Sequence, residues 1–316
     1  MTGNLLHQCI HPSHWHNQDA HRATFQHNKP FKHLQIDSFF QPDFLQGLLQ
    51  EFPSFEQGNY LNENGEPGGK STLEKIQELG PHFRKLDALI QSPEFLQWLS
   101  ETIGIGDLLY DPWYFGGGTH ENRNGQDLDP HVDFNRHPET GWHRRVNLII
   151  YLNETWDASW GGTIDLHKDP YLPPEQDEIV RILPLMNRAV MFETTDWSWH
   201  GFTRIQLPEG APVQSRKSIA LYFYSKVRPA EELGPTHSTI YVDRHLPQHI
   251  GAGHTLTEEE VEQVRILLAR RDGHIKRLYR DITRLTGEVE ALRARLQQQD
   301  PLPVRMARRF RRWMKP

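Results

Sequence analysis

Apolar positions along this chain change their period twice. Between residues 42 and 104 they recur at helical spacing, in Pro42-Asp-Phe-Leu-Gln-Gly-Leu-Leu-Gln-Glu51 and in Ser92-Pro-Glu-Phe-Leu-Gln-Trp-Leu-Ser-Glu-Thr-Ile-Gly104. The second has Ser at the N-cap, Pro at the first helical position and Gly past the end, which marks both termini of a helix. Asn62 to Gly69, between them, reads as a flexible loop. From residue 145 the period falls. Arg145-Val-Asn-Leu-Ile-Ile-Tyr-Leu152 is a compact β-branched run that predicts a buried strand, and Thr163-Ile-Asp-Leu-His167 alternates with period two. Ala189–Phe192 and Arg216–Tyr224 predict two more strands, with turns at Trp160-Gly-Gly162 and Asn187-Arg188. Short strands punctuated by Gly, Pro and Asn predict a β sandwich or barrel, supported by the preceding helices.

The second change comes after Val261. Val264, Leu268, Ile275, Leu278, Ile282, Leu285, Val289, Leu292 and Leu296 follow steps of four and three, with Arg271 filling the missing position. That is a coiled-coil seam, and its apolar stripe needs a partner. A homo-oligomer through residues 257–300 is the simplest solution; packing back on its own domain is the other. Arg271 in the seam would set register or oligomer state at a cost in stability.

Composition narrows the setting. The chain has 316 residues and one cysteine, so no disulfide can form within it. Met1 to Asn17 is polar and His-rich, without the apolar core of a secretory signal. The longest apolar runs are far shorter than the roughly 20 residues that span a bilayer, so the expected class is not transmembrane. Net charge is −6, but residues 304–316 hold six Lys/Arg and no acid, leaving −12 for the rest. Met306, Phe310, Trp313 and Met314 share one helical face of this tail. The pattern fits a helix lying in an anionic membrane interface; a solvated tail and a nucleic-acid contact are the alternatives, the last ranked lowest. The expected location is cytoplasmic, or peripheral at the inner face of the membrane.

The candidate chemistry sits on the strands. His131-Val132-Asp133, with His200 downstream, is the ligand set of a mononuclear iron site with open coordination positions. Residues i and i+2 of a strand share a face, so His131 and Asp133 can grip one ion, and His200 must come from a strand folded back beside the first. Among 19 histidines such spacing also arises from surface residues. Arg216, a strong cation on a following strand, points to an anionic co-substrate next to the metal.

These motifs in their order resemble the Fe(II)- and 2-oxoglutarate-dependent dioxygenases, in their prolyl 4-hydroxylase-like branch. The likeness runs through H-x-D, R-x-N-L-x-x-Y-L-N, W-G-G, N-R-x-V-x-F, H-G and R-K-S-I-A-L-Y, over about residues 30 to 230. It implies a double-stranded β-helix, a jelly roll enclosing the iron. His131, Asp133 and His200 match the iron ligands, and Arg216 matches the residue that pairs with the distal carboxylate of 2-oxoglutarate. Tyr151 matches a tyrosine reaching the same group, Ser218 is placed to donate to it, and Asn147 shares the strand face of Tyr151. Tyr114 is a further candidate contact to 2-oxoglutarate. Ascorbate is an optional helper. A carboxylate at position 133 argues for hydroxylation, because related halogenases carry a small residue there.

Trp113-Tyr-Phe-Gly-Gly-Gly118 and the polar loop after it are either a lid or a plain connection. Trp197 and Trp199, before His200, are wall or packing residues. His120, His137, His143, His167, His237 and His254 match no motif position and are read as solvent-facing or structural. The expected organisation is a polar segment at 1–29, a dioxygenase domain at 30–230, a linker at 231–256, a coiled-coil helix at 257–300 and a basic tail at 301–316: mainly β with flanking helices. The expected function is hydroxylation of an unactivated C–H in a prolyl or amino acid-like group or a cell-surface glycan precursor. A non-catalytic jelly-roll module oligomerised by the coiled coil is the rival reading.

Overall fold

A computed structural model describes residues 4–61, 67–212, 215–244, 246–247 and 249–298. The basic tail and the end of the expected coiled-coil helix thus lie outside the described residues, as do 62–66. The described strands are β1 (His33–Ile36), β2 (Asn59–Leu61), β3 (Pro67–Leu73), β4 (Leu109–Tyr110), β5 (Gly118–Arg123), β6 (Leu128–Val132), β7 (His143–Tyr151), β8 (Ile164–His167), β9 (Ile179–Ile182), β10 (Arg188–Glu193), β11 (Trp199–Phe202), β12 (Ser215–Ser225) and β13 (Ile240–Tyr241). Where a loop was expected up to Gly69, β3 begins at Pro67 and pairs with β5.

The strands form two antiparallel sheets. The larger runs β1-β10-β7-β12-β5-β3-β2, with β4 on the edge of β12; the smaller runs β13-β6-β11-β8-β9. From β5 to β8 consecutive strands alternate between the sheets. Strands distant in sequence therefore become neighbours, β5 beside β12 and β6 beside β11.

Period-two alternation along β7 decides what each face meets. Val146, Leu148 and Ile150 are buried on the outer face with the helices Pro42–Gln50, Pro81–Ile90 and Pro93–Ile103, through Leu48, Leu86 and Leu99 among others. The helices thus back the larger sheet. Tyr151 faces the other way and packs with Ile164, Leu166 and Phe192 between the sheets. Helix Pro93–Ile103 has the termini its sequence predicts: the Ser92 side chain accepts from the Phe95 amide, and Gly104 closes the end with φ 72°. The N-terminal segment is less peripheral than its polarity suggests. Helices Leu5–Cys9 and Gln18–His27 send Leu6, Cys9 and Phe25 into the same core.

Residues 245–316 form a separate unit. Its described part contains one helix of 41 residues, Glu258–Gln298, on which Leu268, Ile275, Leu278, Ile282, Leu285, Val289, Leu292 and Leu296 are exposed. No described helix is long and apolar enough to cross a membrane.

Candidate metal and co-substrate site

His131 and His200 stand directly opposite each other across β6 and β11. Close approach of these strands needs Gly201, where a Cβ would lie 2.7 Å from the Leu128 carbonyl oxygen. Asp133 follows β6 by one residue, on the face of His131. The donor atoms of the three side chains lie within 4.8 Å of one another, with Asp133 Oδ1 3.8 Å from His131 Nε2 and Oδ2 3.6 Å from His200 Nε2. All three residues are buried.

The surroundings fix which atoms face the centre. His131 Nδ1 is 2.9 Å from the Asp129 carbonyl and His200 Nδ1 is 2.9 Å from the Ser198 carbonyl. A carbonyl only accepts, so each Nδ1 carries the proton and each Nε2 lone pair is free. Burial pushes the His131 pKa down to about 3, helped by the nearby His200, and burial lowers His200 as well, opposed by Asp133. Both imidazoles are neutral, as ligands must be. For Asp133 burial works upward, but the Arg144 guanidinium, both histidines and the Asn147 amide outweigh it and hold the carboxyl well below the usual range. Its Oδ2 accepts from Asn147 Nδ2 at 2.7 Å and forms an ion pair with Arg144 Nη2 at 3.1 Å. Asn147 Oδ1 in turn accepts from Arg144 Nε and Nη2. Two neutral imidazoles and a charge-held carboxylate fit a divalent first-row ion.

The three ligands line a cavity of about 200 Å³ between the sheets. Arg216 enters it from β12. Its Nε donates to the Gly162 carbonyl at 2.6 Å, and its Nη2 donates to Tyr151 Oη at 3.1 Å. Gly162 has φ +68°, and a Cβ there would crowd the Trp156 ring, so the Trp-Gly-Gly turn aims its carbonyl at Arg216 only with glycine. Phe202 and Tyr151 cover the guanidinium faces. Among the described residues none of its nitrogens has a carboxylate partner. A buried cation without a counterion is costly; a carboxylate supplied by a bound molecule answers that need, and the planar fork suits it. The site therefore fits 2-oxoglutarate beside the metal.

Tyr151, Ser218 and Asn147 all line the cavity. Asn147, though, is bonded to Asp133 and orients that candidate ligand. Tyr114 does not reach the cavity: its hydroxyl donates to Asp87 at 2.8 Å and its ring lies in the helix-facing core. Its placement among the co-substrate contacts is therefore corrected; the turn that carries it, with φ 53° at Tyr114, directs the ring away. Trp197 and Trp199 are also outside the cavity lining. His120 is not solvent-facing but lines the cavity, held neutral by burial and the neighbouring Lys70 charge. His137 and His167 are buried against Asp111 and Asp177.

Sequence reasoning missed Lys70, Arg144, Asn122, Tyr222 and Tyr241. Asn122 lies opposite Arg216 in register, with Oδ1 3.4 Å from Arg216 Nη1. Tyr241 stacks on the His131 ring at 5.2 Å between centroids. Tyr222 lies under the Arg144 guanidinium at 3.6 Å.

Residues 117–224 match the family model of the 2OG-Fe(II) oxygenase superfamily, and this span holds all three candidate ligands, Tyr151 and Arg216. Over these residues the chain is similar to the 2-oxoglutarate- and Fe(II)-dependent oxygenases. It is 29% identical over 245 residues to the prolyl 3-hydroxylase OGFOD1 of Mus musculus, an overlap covering 72% of this chain and 39% of that relative. The chain therefore spans well under half of that protein. Among solved structures, a prolyl 4-hydroxylase from Phytophthora capsici overlaps with a TM-score of 0.47 at 22% identity, covering 82% of this chain and 74% of that one. HygX from Streptomyces hygroscopicus, solved with nickel, 2-oxoglutarate and hygromycin B, overlaps with a TM-score of 0.43 at 12% identity, covering 72% and 96%.

Proposed function

We propose that this protein is a hydroxylase acting at an unactivated C–H of a prolyl or other amino acid-like group. The observation that carries the reading is the convergence of His131, Asp133 and His200 in one cavity with the Arg216 guanidinium, which has no carboxylate partner among the described residues. The relative's name, a prolyl 3-hydroxylase, supports the substrate class. The strand order β5-β12-β7-β10 against β6-β11-β8-β9 supports a jelly roll as the scaffold.

When bound, Fe(II) and 2-oxoglutarate supply the oxidative chemistry, and the chain supplies placement. His131, Asp133 and His200 would hold the metal, and Arg216 with Tyr151 would hold the distal carboxylate. Arg144 and Asn147 keep Asp133 ionised and turned toward the histidines. Ile149, Ile164 and Phe202 line the cavity with apolar surface and limit water around the reacting carbon.

Two measurements test this. Under argon, Fe(II) with 2-oxoglutarate is expected to give a visible charge-transfer band with the full chain. In air, a screen of prolyl peptides, free amino acids and nucleotide sugars is expected to raise succinate release above background with a prolyl or amino acid-like member. Absence of the band sinks the enzyme reading; release only with nucleotide sugars moves the substrate to the glycan class.

We further propose that the exposed apolar row on Glu258–Gln298 joins copies of this chain. Light scattering is then expected to give a multiple of 37.0 kDa for the full chain. A Leu278→Arg, Leu285→Arg double variant should scatter as a single chain. A monomeric parent protein would end this reading.

A further inference from the structure

Three basic side chains line the cavity, Lys70, Arg144 and Arg216, against one lining carboxylate, Asp133. Two of the three are accounted for. Arg144 is paired with Asp133, and Arg216 faces the place of the co-substrate carboxylate. Lys70 is left over.

Lys70 lies on β3, one strand beyond β5, next to the Ser71–Glu121 pair. Its Nζ has one polar neighbour among the described residues, His120 Nε2 at 3.4 Å. That nitrogen also stands 3.1 Å from the Gly116 carbonyl, to which it can only donate. A nitrogen donating to Gly116 cannot accept from Lys70, so the two contacts compete for it. No carboxylate takes its place: Asp133 Oδ2 is occupied by Asn147 and Arg144, and Glu74 Oε1 accepts from the Gly116 amide at 2.6 Å. Burial pushes the ammonium down to about 8, with Asp133 pulling it up, so it stays largely charged at neutral pH.

A second observation puts Lys70 on the side from which a substrate arrives. The turn at Gly116, bonded to His120 and to the Tyr222 hydroxyl, carries Trp113 and Phe115, which are 51% and 43% exposed. Phe115 meets the edge of Phe134 at 5.4 Å, and Phe134 lines the cavity. Exposed aromatic surface therefore runs from solvent to the cavity wall beside Lys70.

We infer that Lys70 is the specificity residue of this cavity: the substrate enters along Phe115 and Phe134 and presents an anionic group, carboxylate or phosphate, to the Lys70 ammonium in the cavity wall. This rests on the hydroxylase reading for the word substrate, but the test is binding, so the two fail separately.

The probes are two matched pairs: N-acetyl-prolyl-glutamate amide with its glutamine twin, and glucose 1-phosphate with glucose. Each is titrated calorimetrically into the full chain under argon, metal-free and then loaded with Fe(II) and 2-oxoglutarate. In at least one pair the anionic member should bind about tenfold or more tightly than its twin, the weight of one charge-assisted hydrogen bond. The pair that responds identifies carboxylate or phosphate as the source. Lys70→Met should erase the preference while 2-oxoglutarate affinity stays within about twofold; Lys70→Arg should retain it. Lys70→Gln repeats the test should Met at this position unfold the chain, judged by circular dichroism. No preference in the parent protein for either pair overturns the inference, and so does a preference that survives in Lys70→Met. Loss of 2-oxoglutarate affinity in step with the preference assigns Lys70 to the co-substrate instead. Loss of the Fe(II)–2-oxoglutarate band in the parent protein, with the preference intact in the metal-free chain, counts against the hydroxylase reading alone.

Discussion

His131→Ala is expected to abolish the Fe(II)–2-oxoglutarate band and to cut metal affinity by more than the ~10–100-fold typical of changes behind a ligand. Asn147→Ala, which removes a bond to Asp133 rather than a ligand, should fall inside that range. Anaerobic titration followed by absorbance separates the two. The same variant makes a prediction about pH. In the folded metal-free chain His131 titrates at about 3, against 6.5 for an unperturbed histidine. Between those values the unfolded chain binds a proton that the folded chain refuses, so stability rises with pH and is lost as pH falls through that window. Removing His131 removes that contribution. The metal-free variant should therefore show a flatter fall in denaturation midpoint from pH 6.5 toward 4 than the parent protein. Equal slopes would mean that the imidazole is not held neutral by its surroundings.

Arg216→Ala should produce the largest separation between the two cofactors. Truncating one partner of a buried charge pair costs ~2–5 kcal/mol, which is roughly 30-fold to 5,000-fold in the KM for 2-oxoglutarate, measured by succinate release. Iron affinity should be nearly unchanged, because Arg216 contacts Gly162, Asn122 and Tyr151 and no ligand. Arg216→Lys should recover only part of the loss, since a point charge replaces a planar fork. Parallel loss of iron and 2-oxoglutarate would indicate a collapsed cavity, as the three partners of Arg216 would then be left unpaired between the sheets.

The legible and illegible parts of the site divide along a physical line. Tyr151 and Arg216 lie on apolar strand runs that period exposes, whereas His131, Asp133 and His200 are exposed by the H-x-D motif and the order of the motifs after it. Arg144 is hidden by a register shift: Phe223 pairs with Val146, but Tyr224 pairs with Arg144, so Arg145 is bulged out. The bulge puts Arg144 on the face of Asn147, three residues away, where strict alternation forbids it. Lys70 is hidden by composition, because Pro-Gly-Gly-Lys-Ser-Thr-Leu has no apolar alternation and its strand is specified by pairing to β5. His120 illustrates the same limit, since polarity at that position reads as solvent contact yet serves the lining of a polar cavity. Tyr114 errs in the opposite sense. Its neighbours are Gly-rich and near the metal strand in sequence, but a left-handed backbone at that residue turns its ring into the helix layer.

The nested pairing of the sheets also bears on how the site comes into being. His131 meets His200 across 69 intervening steps of chain, and Asn122 meets Arg216 across 94. His200 and Arg216 cannot reach their partners through local structure, so loop closure over these separations must precede assembly of the full site. A nascent chain that has emerged only as far as β10 would hold two of the three ligands and none of the co-substrate fork. Iron uptake is therefore a late event, and the appearance of the metal-bound signal during refolding should time the docking of β11 and β12, not the collapse that precedes it.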